Sequence, residues 1–144
     1  MIAFDTDTYE LAPMAPGLRV SFPVHSASGT ASTATVLFEL DPGATLGVHT
    51  DSAEELLIIL QGTAEARVGD EVGRLEKNQV ALVPPMAPHG LTNVGDDVLR
   101  VLGTFSASTV VSTFEEPFVE DGPQVLVIGS PIMLAGRLEE PVAA

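Results

Sequence analysis

Four side chains have types and spacing that suit chemistry: His49, Asp51, Glu55 and His89. They fall in two short stretches, Pro42 to Gly62 and Pro84 to Asn93, which hold two of the protein's three histidines. The rest of the chain is poor in reactive groups, so function is argued from here. Imidazole nitrogens and carboxylate oxygens suit a divalent transition metal: Fe, Mn, Ni, Cu or Zn. Two carboxylates balance the dication, which leaves neutral histidines to set the geometry. With no cysteine in the chain, a closed thiolate site is excluded. The expectation is an open coordination position that water or a small-molecule substrate can take.

These residues must be positioned by strands. Side chains alternate along a strand, so His49 and Asp51 point to one face. Glu55 follows a short turn at the start of the next strand, and His89 follows the corner Pro84-Pro85-Met86-Ala87-Pro88. Two antiparallel hairpins in a barrel bring all four to one mouth. Thirteen glycines and eleven prolines require a chain that turns often, which long helices do not tolerate. Short β-branched runs between turn signals predict strands at Leu18 to Val24, Thr33 to Leu40, Thr45 to Asp51, Glu55 to Gln61 and Thr63 to Val68. Further strands are predicted at Val72 to Leu75, Val80 to Val83, His89 to Asn93 and Leu99 to Phe105. The fold class is therefore all-β, a small barrel or sandwich. Val36, Phe38, Val48, Leu57, Ile59, Val83 and Leu91 are expected in the core or pocket wall.

Leu56-Leu57-Ile58-Ile59-Leu60 is apolar at every position. As a strand it fills the barrel with one face and needs cover on the other, and a homodimer is the preferred solution. The segment 106 to 144 is broken by Pro117, Pro123, Pro131 and Pro141. It reads as an extended C-terminal piece with one strand at Gln124 to Ile128.

The bulk numbers bound the partners. A chain of 144 residues, 45% of them apolar, reads as one domain spanning 1 to 144, with a barrel core at about 18 to 105. A formal net charge of −14 repels phosphate backbones and anionic lipid, so neither nucleic acid nor membrane is an expected partner. Asp5, Asp7 and Glu10 stand where a signal peptide would be apolar, and the expectation is a cytoplasmic protein.

The spacing resembles the signature of the cupin superfamily. Its first motif is a Gly, five residues, His-x-His, three or four residues, Glu, six residues and Gly. Gly43, His49, Glu55 and Gly62 match it with the gaps intact. The second motif is a Gly, five residues, Pro-x-Gly, two residues, His, three residues and Asn. Pro84, His89 and Asn93 match, while Asn78 and Met86 replace the two glycines. The resemblance covers roughly 33 to 105 and implies a double-stranded β-helix of jelly-roll type. It implies metal ligation by His49, Glu55 and His89. Asp51 stands where the second histidine of the first motif belongs. Three readings of it stay open: a fourth ligand, an acceptor that holds a histidine, or the mark of a lost metal site. A small bulge would exchange Glu54 for Glu55.

The resemblance leaves activity open, since the family spans dioxygenases, isomerases, lyases, decarboxylases and non-enzymatic binders. A metal-dependent enzyme on a small organic substrate leads, as a dioxygenase (an oxidoreductase) or as an isomerase or lyase. Glu55 then serves as catalytic base as well as ligand. The 2-oxoglutarate oxygenases are a third candidate, because His49-Thr50-Asp51 with His89 matches their two-histidine, one-carboxylate pattern. There Arg100, if it points inward, holds the co-substrate carboxylate. The alternative is a metal-free binding module. His25 lies in no motif and is expected in a surface loop.

Overall fold

The protein is described from a computed structural model, over residues 1–117, 120–129 and 133–135. Its order is β1 (Ala12–Ala15), β2 (Leu18–Ser21), a 3-10 turn (Ser26–Ser28), β3 (Ala34–Leu40), β4 (Thr45–Asp51), β5 (Glu55–Gln61), β6 (Thr63–Val68) and β7 (Glu71–Glu76). There follow β8 (Val80–Val83), β9 (His89–Asn93), β10 (Leu99–Phe105), β11 (Val110–Phe114), β12 (Val125–Ile128) and β13 (Met133–Ala135). One sheet has the order β1-β2-β3-β10-β5-β8 and the other β13-β12-β11-β4-β9-β6-β7. The all-β reading holds, and the two antiparallel sheets enclose the core.

Alternation explains which residues fill it. Leu57 and Ile59 on β5 are buried, as are Phe38, Leu40, Val83, Leu91, Leu99 and Val101. Of the residues expected inside, Val48 is the exception and is only half-buried. The cause is a register shift between Leu46 and His49 where β4 pairs with β9. An extra residue there lets Leu46 and His49, three positions apart, both face the interior. The strand predicted at Leu18 to Val24 is β2, and it stops at Ser21 because Pro23 brings no N–H to a ladder.

The second sheet extends past the expected barrel core. β11 pairs with β4 and with β12, so residues 110–114 and 125–128 belong to the second sheet. The strand expected at Gln124 to Ile128 is β12. Pro131 and Pro141, read as breaks in the chain, lie outside the described residues. On the opposite face of β5, Leu56 remains exposed beside Val80 and Leu82 of β8.

The motif positions have the backbone their signature requires. Gly43 and Gly62 adopt φ of 81° and 89°. Asn78 and Met86, which replace the second motif's glycines, keep left-handed φ of 74° and 62°. The left-handed conformation is adopted here by residues other than the glycine that favours it.

Candidate metal centre

The four residues singled out in the sequence converge inside the barrel. β4 carries His49 and Asp51 on its inward face, and β9, its neighbour, opens with His89 directly opposite His49. Glu55 comes from the other sheet, as the first residue of β5. All four are buried, none more than 5% exposed. Glu54 is exposed, so no bulge exchanges it for Glu55.

Both imidazoles are fixed by their own backbone. His49 Nδ1 lies 2.8 Å from the Gly47 carbonyl oxygen, and His89 Nδ1 lies 2.9 Å from that of Ala87. A carbonyl only accepts, so each Nδ1–H donates, and each ring turns its Nε2 to the interior. His89 Nε2 lies 3.1 Å from Asp51 Oδ2 and 3.3 Å from Glu55 Oε1. His49 Nε2 lies 3.7 Å from the same Asp51 oxygen. Despite this proximity, Asp51 Oδ2 and His89 Nε2 are buried without a hydrogen-bond partner. An orphaned acceptor and an orphaned ring nitrogen aimed at one point fit a cation that both ligate. One donor atom from each of His49, Asp51 and His89 lies within 4.8 Å of the others, a trio that could hold a metal ion. Glu55 stands outside this trio and meets it through His89 and Asp51.

β11, which the sequence reading did not anticipate, completes the surroundings. Ser112 Oγ donates to Asp51 Oδ1 at 2.5 Å, which leaves Oδ2 turned toward the histidines. Phe114 stacks on His49, with ring centroids 4.4 Å apart and planes 16° apart. Val110, Ser112 and Phe114 are the buried alternate positions of β11. The β-branched residues Val110, Val111 and Thr113 were the available signal, and polar Ser112 on the inward face weakened it. Beneath Glu55, Gly103 leaves room for its carboxylate: a Cβ there would collide with it and lie 2.7 Å from Val36 Cγ1.

The electrostatics follow from burial and pairing. Desolvation pushes His49 down to about 4, so it is neutral. Burial would lower His89 too, but the Asp51 and Glu55 carboxylates outweigh it and hold it at about 10. Burial raises the Glu55 carboxyl to about 7. Burial works the same way on Asp51, but His89, His49 and Ser112 together bring it below the ordinary range. Without an ion, a proton on His89 Nε2 occupies the point where the lone pairs meet.

The cluster opens on a cavity of about 40 Å³ with otherwise apolar walls, including Phe38, Leu57, Phe105 and Leu126. Arg100 is not among them. It pairs with Asp7 at 2.9 Å and Glu39 at 3.1 Å and donates to the Thr6 carbonyl, which removes the cation the 2-oxoglutarate reading needs. His25 precedes the 3-10 turn in a loop, as expected, but it is buried rather than at the surface, and its Nδ1 accepts from the Ala27 N–H. Asn93 donates to the carbonyls of Leu40 and Asp97 and is structural.

Comparison with known proteins agrees with this geometry. A family model described as Cupin domain matches residues 36–105. Comparison with curated protein sequences returned no match. Among solved structures, KdgF from Halomonas sp. superposes with a TM-score of 0.63 at 23% identity, over 72% of this chain and 93% of that one. A Klebsiella pneumoniae protein with a double-stranded β-helix domain gives 0.68 at 20% identity, over 79% and 96%. Oxalate decarboxylase from Lactobacillus farciminis gives 0.70 at 19% identity, over 78% of this chain but 35% of that one. Both motif frames, left-handed backbone where their glycines belong and the two enclosing sheets agree with that match: residues 36–105 match a cupin domain, carried on a double-stranded β-helix fold.

Proposed function

We propose that the protein is a metal-dependent enzyme that moves a proton on a small organic substrate, in an isomerase- or lyase-type reaction. His49, Asp51 and His89 hold a divalent first-row ion, and Glu55 is the acid–base group. The observation that carries this is the pair of orphaned atoms, Asp51 Oδ2 and His89 Nε2, beside a carboxyl poised near neutrality. When bound, the ion supplies Lewis acidity to a substrate oxygen.

The chain's own residues do the rest. Glu55 takes a proton from carbon next to a carbonyl: the C–H bond breaks, a carboxyl O–H forms, and the electron pair stays on the substrate as an enolate. Negative charge leaves Glu55 as it appears on the substrate, so the net charge of the buried site is unchanged. The apolar wall excludes water and protects the enolate from indiscriminate protonation. Returning the proton to another carbon isomerises the substrate, whereas expulsion of a leaving group makes the reaction a lyase step. A carboxyl near pH 7 suits both directions of transfer.

A second reading, an oxygenase, is favoured by the ligand trio itself, since two histidines and one carboxylate also suit Fe(II). Glu55→Gln tests the assignment of roles. Metal content should persist while exchange of substrate α-protons in D2O is lost, followed by NMR across a panel of small ketones. Loss of metal from Glu55→Gln would make Glu55 a ligand instead. Oxygen consumption by the Fe(II)-loaded chain with unchanged α-protons would favour the oxygenase.

A further inference from the structure

The cavity wall carries information about the substrate that the ligand trio does not. Apart from His49, Asp51, Glu55, His89 and Ser112, every side chain lining it is apolar. Five of the six Lys and Arg residues fall among the described residues, and none of the five reaches the cavity. Arg19 is held by Glu39 and Asp41, and Arg100 by Asp7 and Glu39. Arg67, Arg74 and Lys77 are exposed. The sixth, Arg137, lies outside the described residues.

Charge balance then limits what can enter. Asp51 and Glu55 already match the two charges of a divalent ion, and a substrate carboxylate would be a third anion in a desolvated pocket. A neutral carbonyl compound adds no charge, and its deprotonation moves charge rather than creating it. Size sets a separate limit, because a cavity of about 40 Å³ admits only a small molecule, whatever its charge.

We propose that the cavity selects small neutral molecules with an apolar body and one oxygen donor, and rejects free carboxylates of the same shape. This rests on the reading that His49, Asp51 and His89 hold an ion, and it separates the chain from a decarboxylase of oxalate.

2-Butanone and propionate, a neutral and an anionic molecule of similar shape, test it. Each is titrated into the zinc-loaded and the metal-free chain, with methyl resonances of Val20, Leu57 and Leu126 followed by NMR. The ketone should bind roughly ten-fold or more tightly than propionate in both forms, because the wall is the same. Propionate binding equally or more tightly, or neither molecule reaching the cavity, overturns the proposal. Zinc content of the same samples reports separately on the functional reading: if no zinc is held, that reading fails while the selectivity is still read in the metal-free chain. Met14 lines the cavity and is half-buried, and its unbranched stem resembles that of lysine. Met14→Lys should narrow or invert the ratio, and an unchanged ratio would count against the charge argument.

Discussion

Ser112 shows how much of a metal site lies behind its ligands. Its hydroxyl fixes one oxygen of Asp51 and so aims the other. Ser112→Ala is expected to fold, keep all the ligands, and lower metal affinity roughly 10- to 100-fold, read by calorimetry. Unchanged affinity would mean that Asp51 does not ligate through Oδ2. Protons compete with the ion at the same point. With His89 held at about 10, ion uptake at pH 8 expels its proton, so about one proton should be released per ion, measured in buffers of different ionisation enthalpy. Apparent affinity therefore rises with pH. The stability of the metal-free chain runs the other way. His89 is raised from 6.5 to about 10, so its contribution is complete below 6.5 and lost as pH climbs to 10. Glu55, raised from 4.5 to about 7, loses its contribution between those values. The melting temperature of the metal-free chain should fall on the alkaline side, and saturating metal should abolish that fall. The residues themselves were legible because His49, Glu55 and His89 sat at motif spacing. Ser112 was not, since a serine after two valines announces nothing until β11 is seen to pair with β4.

At the scale of elements, the corner before β9 delivers His89, and Met86 holds it in a left-handed conformation. That conformation costs a non-glycine residue roughly 1–2 kcal/mol, while glycine costs about 0.5–1 kcal/mol through the unfolded chain. Met86 is exposed and packs little, so Met86→Gly should raise stability by up to about 1 kcal/mol in denaturant melts. A clear loss would show that its side chain does more than cap a turn. Turn chemistry made β3 to β10 legible: Asp41-Pro42-Gly43 ends β3, and Gly69-Asp70 separates β6 from β7. β1 and β11 escaped for physical reasons. Pro13 interrupts β1, which survives as an edge strand where a missing N–H is tolerated. β11 follows the small polar run Ser106 to Thr109, and its inward serine breaks the apolar alternation that marks a buried face. The bulge in β4 was equally hidden, because only the pairing with β9 reveals the extra residue.

For the whole molecule, the uncovered face of β5 and β8 sets an expectation. Leu56, Val80 and Leu82 are 41%, 53% and 55% exposed and adjacent, on a chain whose net charge of −14 otherwise favours solvation. The chain is expected to self-associate through this face, with a sedimentation mass of twice 15.0 kDa. Leu82→Lys should return it to the single-chain mass, and a wild-type monomer would refute the expectation. Among the described residues no helix is long and apolar enough to cross a membrane. The central claim remains the buried point where two imidazole nitrogens and a carboxylate oxygen meet. Metal content by mass spectrometry, on protein purified without an affinity tag, tests it most directly. The account predicts close to one first-row ion per chain, lost in both His49→Ala and His89→Ala. A folded chain that holds no ion after incubation with Fe, Mn, Ni, Cu and Zn would contradict it and leave the His89 proton as the site's permanent occupant.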